Sequence, residues 1–417
     1  MGISLQNLEE VIIDQNEAFS AKELGIPRDI DLKKHLASKQ ITVISGVRRS
    51  GKSTLLARCA RSYKGVYYIT FEDERLTGFT VADFRLLMQI FRKNREASVL
   101  CIDEVQNIKG WERFVRRIHD EGYKVLVTGS NANLLSRELG TRLTGRYGLI
   151  ELYPFSFKEL LQFHAVPYSQ GGSRIHAQVQ GYLDQYIQHG GFPEYIAEQD
   201  TGYLQRVYED ILYRDLIVRF GIRDVKAFKQ LGQYLFTTIG TEISYTALSK
   251  TLEIKSPMSV RNYVGFMQEA WLIFEVYKYD FSLKKQFTAD KKIYAIDNGL
   301  RNVIAFTFSE NQGRLLENLV AVELRRRGEE IFYYKGKKEC DFLIKKGSKI
   351  VQALQVTVSL EAHNKEREIE GLLEALQFSK LKEGTIIVKD GEEEILKYGE
   401  HHIHIVSLAQ WLLDPQV

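Results

Sequence analysis

A chain of 417 residues with 44% hydrophobic and 27% charged side chains carries enough apolar material for two to four packed domains, and too much for a disordered polymer. Its 57 Lys and Arg stand against 54 Asp and Glu, a net charge of +3. That balance excludes a surface built throughout to coat nucleic acid and leaves room only for a local basic patch. The three cysteines, Cys59, Cys101 and Cys340, are far apart and show no metal-ligand spacing, which points to a reducing compartment without a disulfide framework. Met1 to Glu10 lacks a basic stretch followed by an apolar run, and no segment reaches the roughly 18 apolar residues of a membrane span, so the expectation is a cytoplasmic protein with no membrane partner.

Up to about Ile150 short apolar strands alternate with helices. Ile41 to Ser45 reads as a buried strand, Gly51 to Tyr63 as a helix, Val66 to Phe71 as a strand and Val81 to Asn94 as a helix. Val99 to Asp103 is the next strand, Trp111 to Glu121 a helix and Lys124 to Thr128 a strand. This order predicts an α/β fold with a parallel sheet covered on both faces. Beyond Pro154 long helical stretches take over, broken by Gly171-Gly172 and by His189-Gly190-Gly191-Phe192-Pro193. Three short helices and an apolar strand follow between Val225 and Tyr279, and strand and helix mix again from about Lys291.

Gly46-Val47-Arg48-Arg49-Ser50-Gly51-Lys52-Ser53 fits the phosphate-loop pattern G-x-x-x-x-G-K-[ST]. Glycines let the backbone wrap phosphates closely, and the peptide N–H groups and the following helix N-terminus supply positive partial charge. Lys52 is expected to reach the β and γ phosphates of ATP, Ser53 to hold magnesium through its hydroxyl, and Thr54 to extend the nucleotide site. The pattern directly follows a strand and opens a helix, as this chemistry requires. A second strand, Val99 to Asp103, ends in Asp103-Glu104, 51 residues after Lys52. An acid at that end of a parallel strand binds magnesium through water, the role expected of Asp103. The next acid, Glu104, is placed to orient and deprotonate the attacking water.

A third strand ends in Thr128-Gly129-Ser130-Asn131, where Asn131 or Ser130 positions the water or caps a helix ahead of Leu134. In Arg142-Leu143-Thr144-Gly145-Arg146 either arginine is a candidate for stabilising charge on the transferring phosphoryl group, within the chain or across a subunit interface.

Together these stretches resemble the prokaryotic AAA-superfamily ATP-binding proteins that carry a C-terminal domain of unknown function. Ile26-Pro27-Arg28, Ile102 to Asn107 with Trp111, Leu143 to Tyr147, Tyr153 to Phe157 and Gly190-Gly191-Phe192-Pro193-Glu194 belong to the match, which covers nearly the whole chain. The resemblance implies an AAA+ P-loop parallel sheet sandwich over 1–160, a helical lid containing the Gly-Gly-Phe-Pro element over 161–224, a winged helix over 225–284 and a small restriction-endonuclease-like α/β domain over 285–417. It favours Arg146 over Arg142. The winged helix would place Lys255, Ser256, Ser259, Arg261 and Asn262 at the start of a recognition helix, facing DNA or a protein.

The C-terminal fold implied by the resemblance needs a helix glutamate, a strand aspartate, then an acid and a lysine one residue apart. Glu317 and Asp341 fit the first two, but Gln355 and Thr357 stand where the acid and the lysine belong. Neutral glutamine holds a hard divalent ion poorly, and threonine carries no cationic nitrogen. The expectation is a module without nuclease chemistry. Arg325-Arg326-Arg327, Lys335, Lys337, Lys338, Lys345, Lys346 and Lys349 are candidate phosphate contacts or a solvated face. The leading expectation for the whole chain is a magnesium-dependent ATPase acting as a nucleotide-driven switch on a DNA or protein partner, with a homo-oligomer allowed. An ATP-regulated DNA-cleaving enzyme and a nucleotide-sensing scaffold with negligible turnover are the alternatives.

Overall fold

The computed structural model describes residues 3–93, 98–131, 145–169, 171–200, 202–306 and 312–414. It divides into a front unit, Met1–Pro154 with Glu269–Trp271, and a rear unit, Phe155–Gln268 with Leu272–Val417.

In the front unit β1 (Ile41–Gly46), β2 (Val66–Thr70), β3 (Val99–Asp103), β4 (Lys124–Gly129) and β5 (Tyr147–Leu152) form one sheet in the order β2-β3-β4-β1-β5. Every pairing in it is parallel. Side chains alternate between two cores, as the period of two in a strand demands. Val43, Leu100, Ile102, Val125 and Val127 enter one, against the helices Phe84–Lys93 and Trp111–Asp120. Ile44, Val99, Cys101 and Leu126 enter the other, against the helix Lys52–Ala60. Each such side chain contributes about 1.5–3 kcal/mol by leaving water. This explains why the strand interiors are uniformly apolar and why the polar residues collect at the strand ends. Two elements were not anticipated. The helix Leu5–Ala21 buries Leu8, Val11 and Ile12, but Gln15 and Asn16 interrupt its apolar stripe because both bond the exposed edge of β2. Strand β5 is an edge strand whose Gly148 and Glu151 hide its apolar residues.

The rear unit holds a mixed nine-stranded sheet. Its strands are β6 (Glu242–Ile243), β7 (Ile273–Lys278), β8 (Lys291–Ala295), β9 (Glu330–Lys335), β10 (Glu339–Lys346), β11 (Lys349–Thr357), β12 (Glu383–Val388), β13 (Glu394–Tyr398) and β14 (His401–Ser407), in the order β13-β14-β12-β11-β10-β9-β7-β8-β6. The three helices expected of a winged helix are present as Val225–Thr237, Tyr245–Thr251 and Pro257–Glu269. Strand pairing, however, does not stop at residue 284. β6 and β7 both pair with β8, and β7 also pairs with β9. A strand with unpaired edges seeks partners, and β7 finds them in the sheet expected to begin after it. The front unit ends at Pro154.

The Gly-Gly-Phe-Pro element is a packing device of the rear unit. Gly191 N–H donates to Asp297 Oδ2 at 2.7 Å, and the Gly191 carbonyl accepts from Phe155 N–H at 2.6 Å. A Cβ on Gly191 would lie 2.2 Å from the Phe155 carbonyl oxygen, so no other residue fits. Asn298 then ties the same region to the Ile187 and Leu315 carbonyls at 3.0 Å each.

Candidate functional site

The carboxyl ends of β1, β3 and β4 bring the phosphate loop, the two acids and the polar third element together. A Cβ on Gly46 would sit 2.0 Å from the Leu152 carbonyl oxygen, so sheet packing as well as phosphate approach requires glycine there. Val47 and Ser50 are buried, and Ser53 and Thr54 lie half-buried on the first turn of the helix Lys52–Ala60. Lys52 is only 4% exposed. Its Nζ donates to the Val47 carbonyl at 3.1 Å and lies 3.7 Å from Glu104 Oε1. Ser50 Oγ is buried without a hydrogen-bond partner. A buried hydroxyl without a partner and a buried lysine held by one carbonyl and one long ion pair fit an anionic ligand.

Asp103 is buried, with one oxygen accepting from the Thr128 hydroxyl and the other from Tyr68 Oη at 3.0 Å. Burial, reinforced by the Asp103 charge, pushes the Tyr68 phenol far above its ordinary range, so it remains a donor. Glu104 takes a left-handed backbone conformation, φ 50°, anchored by its N–H on Thr128 Oγ1 at 3.0 Å. A non-glycine residue there is strained, a condition that recurs at functional sites. Gln106 donates to Glu104 Oε2 and to Ser130 Oγ, the latter at 3.2 Å, and so bridges the second and third polar elements. Asn131 is buried, and its carbonyl accepts from Ser45 Oγ at 3.3 Å. Arg28 fastens the loop from outside, donating to the Ser50 carbonyl at 3.0 Å and the Tyr153 carbonyl at 2.7 Å.

Thr128, Tyr68, Gln106 and Arg28 carry no motif of their own. The clearest available signal was position, since Gln106 follows Glu104 by two residues, Thr128 opens the Thr128-Gly129-Ser130-Asn131 element and Arg28 lies in the Ile26-Pro27-Arg28 stretch. Arg146 is not brought to this cluster within the chain. In the parallel register Ile41 faces Tyr147 while Gly46 faces Leu152. Arg146, preceding β5, therefore lies at the amino ends of the strands, with the phosphate loop at their carboxyl ends, and is 3.7 Å from Asp120. Arg142 lies outside the described residues.

Comparison with known proteins agrees with this layout. Residues 38–161 match the AAA domain, 180–311 a domain of unknown function (DUF8612) and 312–411 a domain of unknown function (DUF4143). An uncharacterized protein of Methanocaldococcus jannaschii, MJ1544, is 36% identical over 97% of this chain and 95% of its own length. The chain belongs to this AAA-domain family. An uncharacterized protein of Haemophilus influenzae is 31% identical over 90% of this chain and 94% of its own. Among solved structures, AMPPCP-bound DnaA from Aquifex aeolicus is 14% identical with a TM-score of 0.24, covering 57% of this chain and 86% of that one. Replication initiator DnaA bound to AMPPCP and single-stranded DNA gives 13% and 0.25, over 62% and 86%. Scores of this size extend no property of those proteins to this one. No described helix is long and apolar enough to cross a membrane.

The rear unit places the expected acids together and adds a group that the sequence reading declared missing. Glu317 lies on the helix Gln312–Arg326, Asp341 on β10, and Gln355 and Thr357 on β11. Gln355 donates to Glu368 Oε2 at 2.7 Å, and Thr357 to the Ser359 carbonyl at 3.2 Å. A lysine does occupy the site: Lys292, from β8. The basic run, read either as phosphate contacts or as a solvated face, is largely ion-paired. Arg326 and Arg327 turn back onto Glu323 at 3.0 and 3.1 Å, and Arg327 stacks 4.3 Å from the Trp411 ring. Lys335, Lys338, Lys345 and Lys346 pair with Glu242, Glu370, Glu330 and Glu329. In the winged-helix segment, Ser256 caps the helix by accepting from Ser259 N–H at 3.1 Å, while Lys255, Arg261 and Asn262 are exposed.

Proposed function

We propose that the front unit binds ATP with magnesium and hydrolyses it, and that nucleotide state switches the grip of the rear unit on a DNA or protein partner. The observation that carries this reading is the Lys52–Glu104 pair at 3.7 Å beside the orphaned Ser50 hydroxyl. The γ-phosphate takes the lysine from Glu104, and the freed carboxylate is left to accept the proton of the attacking water. Ser53 and Asp103 fit a magnesium ion, which supplies charge neutralisation on the phosphate oxygens. Gln106 and Ser130 hold Glu104 in line, and Asn131 is the next polar group toward the γ-phosphate. Arg146 lies too far along β5 to serve its own site, so its role in stabilising transferring charge is assigned to the site of a second copy.

A route for the switch is supported by Trp271. Its indole N–H donates to Ser45 Oγ at 3.2 Å, one residue before the phosphate loop, and the chain continues directly from it into β7. The exposed Lys255, Arg261 and Asn262 are the groups proposed to meet the partner. The test is ATP turnover measured alone and with single-stranded DNA, duplex DNA and RNA. Turnover that depends on Lys52 and rises with one polymer supports the reading and names the partner class. Absence of turnover under every condition removes the hydrolytic part.

A further inference from the structure

We infer that the Lys292 ammonium is the permanent cation of the Glu317–Glu339–Asp341 cluster and stands in place of a divalent metal ion, which makes the rear cleft a metal-free site. Lys292 Nζ lies 2.9 Å from Glu317 Oε1, 2.7 Å from Glu339 Oε1 and 3.4 Å from Asp341 Oδ1. Its side chain is 2% exposed. The three carboxylates come from one helix and one strand, and the lysine from β8, which is not a neighbour of β10 in the sheet. One ammonium thus joins three elements, the work a bridging metal does elsewhere.

Donors of the protein already hold the carboxylate oxygens that face the centre of the cluster. Glu317 Oε1 accepts from Lys292 and also from Tyr294 Oη at 2.6 Å. Asp341 Oδ1 faces Lys292, and Oδ2 accepts from Val356 N–H at 2.9 Å. Gln355, at the position of the usual third acid, donates to Glu368 Oε2 at 2.7 Å and accepts from Asp341 N–H at 3.2 Å. Magnesium binds carboxylate oxygens at about 2.0–2.1 Å. An ion at that distance would share its ligands with an ammonium that has no room to withdraw without leaving its own charge buried and unpaired. Among the described residues no group of three His, Cys, Asp or Glu is arranged to hold a metal. Access does not explain this, because the cleft over Glu317, Glu339 and Asp341 has a volume of about 820 Å³.

The charges agree with the geometry. Burial opposes a charge on Lys292, but the surrounding acids outweigh it and hold the ammonium well above its ordinary range. Burial, together with the Glu317 charge, raises the Asp341 carboxyl. One ammonium therefore offsets part of the charge of the three carboxylates, and the raised Asp341 carboxyl lowers the charge that is left.

The experiment is a Mn²⁺ titration of the nucleotide-free full chain, followed by electron paramagnetic resonance of the free ion. Wild type and Glu339→Gln are expected to bind the same number of ions. Lys292→Met, which keeps the length of the side chain, is expected to gain one ion at least tenfold tighter than any wild-type site in the rear unit. Adding Asp341→Asn removes that ion, which places it in the cluster and not at the phosphate loop. A wild-type ion that disappears in Glu339→Gln overturns the inference. So does a Lys292→Met protein that keeps the wild-type circular dichroism spectrum and gains no ion. If Lys292→Met does not fold, the comparison of wild type with Glu339→Gln decides alone.

Discussion

Each unit buries one lysine against carboxylates, and the two lysines are held in opposite ways. Lys52 meets a single acid at 3.7 Å and one carbonyl, beside a hydroxyl with no partner. Lys292 meets three acids, the nearest at 2.7 Å, and Tyr294 and a backbone N–H add donors to Glu317 Oε1 and Asp341 Oδ2. Coulomb attraction falls with distance, and a buried charge costs several kcal/mol unless it is paired. The first arrangement is therefore under-satisfied and ready to exchange its acid for a phosphate. The second is complete and resists any incoming ion. The same two functional groups give a loading site in one unit and a closed one in the other, and the number of partners decides which.

The largest effect is expected at the loading lysine. Lys52→Ala leaves the β and γ phosphates without their cation, a loss of about 3 kcal/mol or more, equivalent to a hundredfold or more in affinity. Titration with a fluorescent ATP analogue measures it, and unchanged affinity would falsify the phosphate-loop assignment. Glu104→Gln comes next. It keeps shape and the Gln106 contact but removes both the base and the competing charge on Lys52. Hydrolysis is expected to fall about 10²–10⁴-fold while ATP binds as tightly as before or more so. Wild-type turnover in this variant would move the role elsewhere, with Asn131 and Ser130, as groups that orient the water, the next to test.

Arg146→Ala is expected to lower turnover about a hundredfold with little change in binding, since its charge acts in the transition state. Because Arg146 lies at the opposite end of the strands from its own phosphate loop, mixing this variant with Lys52→Ala should restore part of the activity in a mixed oligomer. Failure of rescue, combined with a monomeric mass by light scattering, returns Arg146 to its Asp120 contact and nothing more.

The front unit was legible because its chemistry is local. The phosphate loop, Asp103-Glu104 and Ser130-Asn131 each end a short apolar strand, and parallel pairing brings strand ends together without further information. What the sequence hid was built from residues distant in the chain. Tyr68 and Thr128 share Asp103 across 35 and 25 positions, and Lys292 reaches Asp341 across 49. A reading along one strand looked for the missing lysine at Thr357, and the fold supplied one from β8 instead. The arginine run 325–327 stayed open between two readings for the converse reason. Sequence records charge, but only packing shows that Arg326 and Arg327 turn inward to Glu323.

Asp297 offers the smallest test and a control for both lysines, because it is a buried carboxylate balanced by backbone N–H groups instead of an ammonium. It accepts from Gly191 N–H at 2.7 Å and Leu300 N–H at 2.9 Å, and it holds the Gly-Gly-Phe-Pro element in place. Burial pushes its carboxyl up to about 6, and the N–H donors offset this only in part. In the unfolded chain the same group titrates near 3.9. Between about pH 4 and pH 6 the folded protein therefore holds a proton that the unfolded chain has released. Where the folded state binds more protons, stability falls as pH rises. The contribution of Asp297 is thus full below about pH 4 and is lost through about pH 6, amounting to about 3 kcal/mol at most. Asp297→Asn cannot ionise. It is less stable at low pH, having lost one acceptor, but the gap to wild type should narrow as pH rises from 4.5 to 7. Urea midpoints of the two proteins across that range measure the gap. Parallel curves would mean that the backbone donors alone keep Asp297 ionised, and that a buried acid in this unit needs no lysine to carry its charge.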